Sequence, residues 1–326
     1  MTRSKIIGTG SYMPQKVLTN KKLEGMVDTS DEWITKRTGI KERHIAADDQ
    51  AASDLAVKAS QKAIEDAEID KEEIDAIICA TITPDMVFPA TACQIQKKLG
   101  IDNVAAFDVE AACTGFLTAL SIADLMIVSG NYKKVLVIAS EVLSRITDWE
   151  DRQTCVLFGD GAGAAILSAT NKEKGILSSY MGADGSLDNL LYLPAGGSKA
   201  PASEETIKKG MHYIKMEGRE TFKIAVNKMA QSARIALKKA GLTIDDIKMV
   251  IPHQANMRII SALAKKLKVD IERVFVNIED YGNMSAATTA VGLDETLKGG
   301  KVKEGDIIQL VAFGGGLTWG SVVVKI

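Results

Sequence analysis

A cysteine, a histidine and an asparagine stand out for what they could do together. Cys113 sits in FDVEAACTGFLTALSIADLMIVSG (107–130), where no charge follows the thiol until Asp124. Free N–H groups and the dipole at the start of a buried helix can hold a thiol as the nucleophilic thiolate. A free cysteine is more often a small core side chain. His253 lies in PHQANMRII and Asn283 in YGNMSAAT, each heading a helical stretch. Taken singly, the histidine reads as a strand-end residue bonded to backbone and the asparagine as an N-cap. Taken with Cys113, they add two neutral donors, and two donors aimed at one oxygen suit a thioester or enolate oxyanion. A Cys/His/Asn set also fits a papain-like hydrolase; the two helix-heading frames argue for the donor pair and for acyl transfer from a thioester.

The elements that would carry these residues occur twice. AEIDKEEIDAIICA (67–80) and AGLTIDDIKMVIPH (240–253) are each a helix end, an acidic turn and a strand, offset by 173 residues. VAAFDVEAAC (104–113) and VFVNIEDYGN (274–283) are each a strand, an acidic loop and a polar residue, offset by 170. Amphipathic helices precede both units, with Leu55, Ala56, Ala59, Ala63 and Ala67 on one face of the first and Phe222, Val226, Met229, Ala233 and Leu237 on that of the second. The strands 135–139 and 307–313 also correspond. A near-constant offset over several elements indicates a duplicated α/β unit, and strands alternating with helices imply mainly parallel sheets covered on both faces. The polar ATNKEKG marks the boundary, giving halves 1–172 and 173–326. Duplication puts Cys113 and Asn283 at equivalent strand ends, with His253 at another, where ligands of open α/β sheets bind. Residues 15–50 read as irregular, Lys5–Gly8 as a first strand, and GDGAG (159–163) as a hairpin turn.

Composition removes several classes. With 326 residues, 46% hydrophobic and 25% charged, the chain is an ordinary globular protein with room for a large core. A formal net charge of −2 gives no general attraction to nucleic acid or anionic membrane. The charge-free run after Cys113 is too short for a membrane span, and Met1–Gly10 is too poor in apolar residues for a signal peptide. Cys79, Cys93, Cys113 and Cys155 form no C-x-x-C pair, and His44, His212 and His253 share no ligand spacing with them. That excludes a disulfide framework and a zinc site, and implies a reducing, cytoplasmic setting. Gly8-Thr-Gly10 opens a dinucleotide fingerprint that fails at Met13 and Pro14.

From end to end the chain resembles bacterial β-ketoacyl-acyl carrier protein synthases III, thiolase-fold condensing enzymes. The resemblance is carried by IIGTGSYMP, DTSDEWITKRTGI, ACQIQKKLGI, FDVEAACTGF, DRQTCVLFGDGAGA, PHQANMRII, YGNMSAA and FGGGLTWG. It implies an α/β fold of two duplicated halves layered αβαβα. It implies Cys113 as the acylated nucleophile, with His253 and Asn283 binding the malonyl thioester and stabilising the carbanion left by decarboxylation. An Asn in that pair separates the chain from elongating synthases with two histidines. The N–H groups of Cys113 and Gly315 would form the oxyanion hole, glycine allowing close approach. Trp33, Arg37 and Arg152 match residues holding the adenine end of coenzyme A. Thr38, Met216, Gly218, Ala255 and Asn256 match the pantetheine tunnel. Phe88, reaching across a dimer, Leu143 and Phe158 match the acyl pocket, a Phe at 88 implying a short primer, acetyl to small branched. Gln254, Ala255, Asn256, Met257, Arg258, Lys265, Lys266 and Lys223 match the surface that receives the acidic carrier protein, which Lys228 would extend. The activity implied is condensation of a short acyl-CoA with malonyl-acyl carrier protein by a homodimer, with no metal or redox cofactor. Two rivals are a same-fold condensing enzyme or acyltransferase with another primer or acceptor, and a non-catalytic scaffold that binds coenzyme A or the carrier protein.

Overall fold

The computed structural model describes residues 3–326, so the first two residues of Met1–Gly10 lie outside it. Two mixed sheets form the frame. The first has five strands, in the order Arg3–Tyr12, Asp160–Thr170, Lys134–Val142, Ala76–Ala80, Ala105–Val109. The second has four, in the order Gly175–Ala183, Thr318–Lys325, Ile307–Gly314, Met249–Pro252. Position by position the two orders match. The fifth place of the second sheet holds only a bridge between Val250 and Val274 where a strand was expected.

The sheets are less parallel than the alternation of strands and helices predicts. Ala76–Ala80 runs parallel to both neighbours and Met249–Pro252 to its own. The remaining pairs are antiparallel: Ile307–Gly314 and Thr318–Lys325 are joined by a tight hairpin turn, and the others by long connections.

Strand alternation builds the layers. In Lys134–Val142, Leu136 and Ile138 face an outer core, while Val135, Val137 and Ala139 face the centre. Helices Ala52–Asp66 and Thr91–Leu99 cover the outer face of the first sheet. Helices Gly218–Ala240 and Met257–Leu267 cover that of the second. Between the sheets lie helices Gly115–Val128 and Ala287–Lys298, buried against residues of both. This central placement explains the missing charges after Cys113: the first turns of the helix are enclosed between the two sheets, and its exposed residues, Leu125 and Val128, come only near its end.

Two local expectations are corrected. Residues 15–50 are ordered as a two-stranded ribbon, Lys16–Thr19 with Glu42–Ile45, and a helix, Asp31–Thr38, capped by Ser30. The glycines at 159–163 start a long strand and make no hairpin turn. A Cβ on Gly161 would lie 2.4 Å from the Met284 sulfur, and one on Gly163 2.6 Å from the Ala290 Cβ. Those glycines let the segment before the second central helix, and the helix itself, lie directly on the sheet.

Candidate active site

Cys113 follows the strand Ala105–Val109 through a turn in which Ala112 has φ +44°. A positive φ at a non-glycine residue is held only where neighbours over-determine it. Here Thr114 Oγ1 donates to the Ala111 carbonyl at 2.7 Å and lies 2.9 Å from Thr318 Oγ1 of the other sheet. Gly314 is equally constrained, since a Cβ there would lie 2.6 Å from Cys113 N. The thiol is thus fixed beside the end of the strand Ile307–Gly314. It does not rest as the thiolate expected at a helix N-terminus, because burial pushes it up to about 12.

His253 follows Met249–Pro252, and its backbone N–H donates to the Val311 carbonyl at 2.8 Å. Burial pushes its ring down to about 3, so it is neutral at pH 7. Its Nδ1 lies 2.6 Å from Thr288 Oγ1, which is also 2.9 Å from the Ser285 carbonyl. Thr288 has one hydroxyl proton for these two acceptors. With that proton on Nδ1, the ring carries its own on Nε2, as a donor; given to the Ser285 carbonyl, it leaves Nε2 an acceptor. Asn283 is oriented from both sides. Its Oδ1 accepts from Ser285 N at 2.8 Å, which leaves its NH2 group as the free donor. Its backbone N–H donates to the Leu157 carbonyl at 2.9 Å and its carbonyl accepts from Gly159 N at 3.1 Å. It does not directly end a strand, as the repeat predicted, but follows the short helix Ile278–Tyr281.

These three side chains line one cavity of about 850 Å³. The same cavity is lined by Trp33, Arg37, Thr38, Arg152, Met216, Gly218, Ala255 and Asn256. Cys113, His253 and Asn283 are buried, while Arg37 and Arg152 are exposed, so the cavity runs from an arginine-flanked surface to a thiol in the core. Both guanidinium groups lie against the Trp33 ring, at 5.2 and 4.9 Å from its centroid.

The chain is similar to proteins of one family. Residues 107–185 match 3-oxoacyl-[acyl-carrier-protein (ACP)] synthase III, and residues 237–326 match the C-terminal domain of that family. A relative from Caldanaerobacter subterraneus subsp. tengcongensis, beta-ketoacyl-[acyl-carrier-protein] synthase III, is 56% identical over 98% of this chain and 97% of its own. The crystal structure of 3-oxoacyl-[acyl-carrier-protein] synthase III from Aquifex aeolicus superposes with a TM-score of 0.92 at 51% identity, covering 99% of this chain and 100% of that one. A priming beta-ketosynthase from the R1128 polyketide biosynthetic pathway gives 0.92 at 36%, covering 99% and 96%. The chain belongs to the β-ketoacyl-acyl carrier protein synthase III family.

For a synthase III chain, some matched residues stand apart from the cavity. Phe88 is 83% exposed and Leu143 is buried in the core, so of the three acyl-pocket matches only Phe158 lines the cavity of its own chain. Gly314 lines it and Gly315 does not. Gln254 is fully buried and unavailable to a partner: its Nε2 donates to the Pro252 and Phe275 carbonyls, and its Oε1 accepts from Asn277 N. Lys228 turns inward, with Nζ 4.1 Å from the Trp319 ring centroid, whereas Lys223, Arg258, Lys265 and Lys266 are exposed. Asn256 caps helix Met257–Leu267 through Oδ1 to Arg258 N at 2.8 Å.

Sequence reading missed Thr288, Ser285, Phe313 as a cavity wall, and Glu141. One signal existed for Glu141: a carboxylate inside the apolar run VLVIASEV, where charge is rarely placed without purpose.

Proposed function

We infer that the chain is the initiating condensing enzyme of type II fatty acid synthesis, an acyltransferase working by a ping-pong sequence. A short acyl-CoA enters along Trp33, Arg37 and Arg152, whose ring and guanidinium planes suit adenine stacking and phosphate. Thr38, Met216, Gly218, Ala255 and Asn256 flank pantetheine. Cys113 Sγ attacks the thioester carbonyl, and coenzyme A leaves. Malonyl-acyl carrier protein then occupies the tunnel. As its C–C bond to CO2 breaks, the electron pair moves onto the thioester oxygen, where His253 Nε2–H and the Asn283 NH2 group donate. The resulting carbanion attacks the acyl carbonyl on Cys113, whose oxygen is held by the N–H groups of Cys113 and Gly315. The carbonyl re-forms as sulfur leaves, giving β-ketoacyl-acyl carrier protein. Neutral donors take the developing charge, so the steps call for no metal or redox cofactor.

The observation that carries this reading is the convergence of a thiol, a neutral imidazole and the Asn283 amide at the buried end of an arginine-flanked cavity. Exposed Arg258, Lys265, Lys266 and Lys223, with Ala255, Asn256 and Met257 beside them, suit an acidic carrier protein, and Arg258 and Lys223 reach the cavity wall. A homodimer is supported by the edge strand Ala105–Val109, half-buried along its length, and by Val87 and Phe88, 91% and 83% exposed. In that dimer Phe88 would close the partner's acyl pocket. Halves of 1–172 and 173–326 are supported by the strands on either side of the boundary, Asp160–Thr170 in the first sheet and Gly175–Ala183 in the second. Free cysteines, and described helices none of which is long and apolar enough to cross a membrane, support a cytoplasmic site.

The test is condensation of acetyl-CoA with malonyl-acyl carrier protein, following all three products. Equal release of coenzyme A, CO2 and β-ketoacyl-acyl carrier protein is expected. Binding without turnover would favour the scaffold. A different primer is the second reading, favoured by the 36% identity to a polyketide priming enzyme, and kcat/KM ratios across acetyl, isobutyryl and longer primers separate the two.

A further inference from the structure

Glu141 is a fully buried carboxylate at the end of the strand Lys134–Val142, one residue short of its terminus. One oxygen is satisfied: Oε2 accepts from Thr83 Oγ1 at 2.8 Å, Ile82 N at 3.1 Å and Thr81 Oγ1 at 3.3 Å. The other, Oε1, has no hydrogen-bond partner. Ser285 Oγ, also buried, likewise has no hydrogen-bond partner, and its hydroxyl is near enough to both the Cys113 thiol and the Glu141 carboxylate to favour their deprotonated forms. Ser285 is held there with φ +47°, a conformation serine adopts only under constraint. The neighbouring packing supplies the constraint. Met284 meets Gly161, the residue paired with Glu141 across the sheet, and Ala286 meets Gly115, two residues after Cys113.

The reaction proposed above leaves a proton unassigned. Cys113 is a thiol when coenzyme A thioester arrives and must lose its proton as sulfur attacks. His253 is a poor recipient, since burial holds its ring down to about 3. Glu141 is better matched, because burial pushes it up to about 7. We propose that Glu141, acting through the Ser285 hydroxyl, takes the Cys113 thiol proton during acylation and returns it to the leaving coenzyme A sulfur. The proton on Cys113 Sγ passes to Ser285 Oγ as the Ser285 proton passes to Glu141 Oε1. The Sγ–C bond forms and the C–S bond of the thioester breaks, its electron pair leaving on the coenzyme A sulfur. The reverse shift delivers the proton there, so the relay ends unchanged. Glu141 is a positioning residue and not a catalytic one, since it works through Ser285. The titratable groups facing it are Cys113 and Cys79; Thr81, Ile82 and Thr83 face it from the loop after Ala76–Ala80.

This inference rests on Cys113 as the acylated nucleophile, and the experiment separates the two. Alkylation of Cys113 by iodoacetamide is followed by peptide mass spectrometry from pH 5.5 to 9 in wild type, Glu141→Gln, Glu141→Asp and Ser285→Ala, each checked for an unchanged thermal unfolding profile. The relay predicts a wild-type rate that rises through an inflection near pH 7. Glu141→Gln and Ser285→Ala lose the inflection and fall about tenfold at pH 8, while Glu141→Asp restores part of it. Glu141 as a mere buried charge opposes thiolate formation, so Glu141→Gln alkylating faster than wild type would overturn the proposal. So would profiles that superimpose, or a drop that leaves the pH dependence unchanged. If Glu141→Gln fails to fold, Ser285→Ala carries the same test. A wild-type Cys113 inert to iodoacetamide and to acyl-CoA would overturn the nucleophile assignment and the relay with it.

Discussion

The fifth position of each sheet is where the two halves part company. In the first, Ala105–Val109 pairs with Ala76–Ala80 along five residues and leads through one tight turn to Cys113. In the second, the equivalent place holds a single bridge at Val274, and the chain takes an extra helical turn before Asn283. Asn283 is then secured by backbone bonds to Leu157 and Gly159, which lead into a strand of the first sheet. The nucleophile continues directly from a strand of its own half and is locked by Gly314 and Thr318 of the other, whereas the asparagine has no such strand and takes its backbone bonds from the other half. The two halves therefore share matching frames, and where the second has a bridge in place of a fifth strand its chain crosses to the first. Acyl transfer should depend on the intact frame, and decarboxylation on the crossing.

The largest effect expected is from Cys113→Ser. Condensation should fall by on the order of 10³-fold or more, because a hydroxyl is a far weaker nucleophile at neutral pH; steady-state product formation checks it. Next come His253→Ala and Asn283→Ala. Each should cost roughly 10²- to 10³-fold in malonyl thioester decarboxylation, the usual loss for one oxyanion donor, while Cys113 still acylates. Unimpaired CO2 release in both would place carbanion stabilisation elsewhere.

Gly159→Ala strikes the crossing itself. Its Cβ would lie 2.5 Å from the Tyr281 carbonyl, and overpacking of this kind costs about 1–3 kcal/mol, read by urea unfolding. Decarboxylation should fall severalfold more than acyl transfer; equal losses would dissolve the contrast between the halves. Trp33→Ala, distant from both frames, should raise KM for acyl-CoA by about tenfold or less with kcat preserved. Smallest is the effect of Arg258→Ala with Lys265→Ala. A few-fold loss in association with the carrier protein is expected at low salt, vanishing as added salt screens the surface.

Much of this arrangement is legible in the sequence. A repeat offset of about 173 residues marks Ala76–Ala80 and Met249–Pro252 as equivalents, and they occupy matching sheet positions. The uncharged stretch after Cys113 marks a helix that is largely buried, and it lies between the sheets. What was hidden depends on long-range pairing. VFVN (274–277) has strand composition and still forms only a bridge, because β-propensity does not determine which edge accepts a strand. GDGAG carries turn residues, yet its glycines serve close approach of the segment around Met284 and the helix at Ala290, over 120 residues away. Resting thiolate formation was expected from the helix end alone, and burial outweighs it. Gln254 sits beside a basic surface in sequence but spends its amide on backbone groups in the core.

The central claim is that Cys113 carries the acyl group between two half-reactions. Intact-protein and peptide mass spectrometry after mixing with acetyl-CoA alone tests it most directly, followed by a chase with malonyl-acyl carrier protein. One acetyl group on the Cys113 peptide, lost on the chase as β-ketoacyl-acyl carrier protein appears, is the predicted result. Condensation product formed at the normal rate with Cys113 never acetylated would contradict the account.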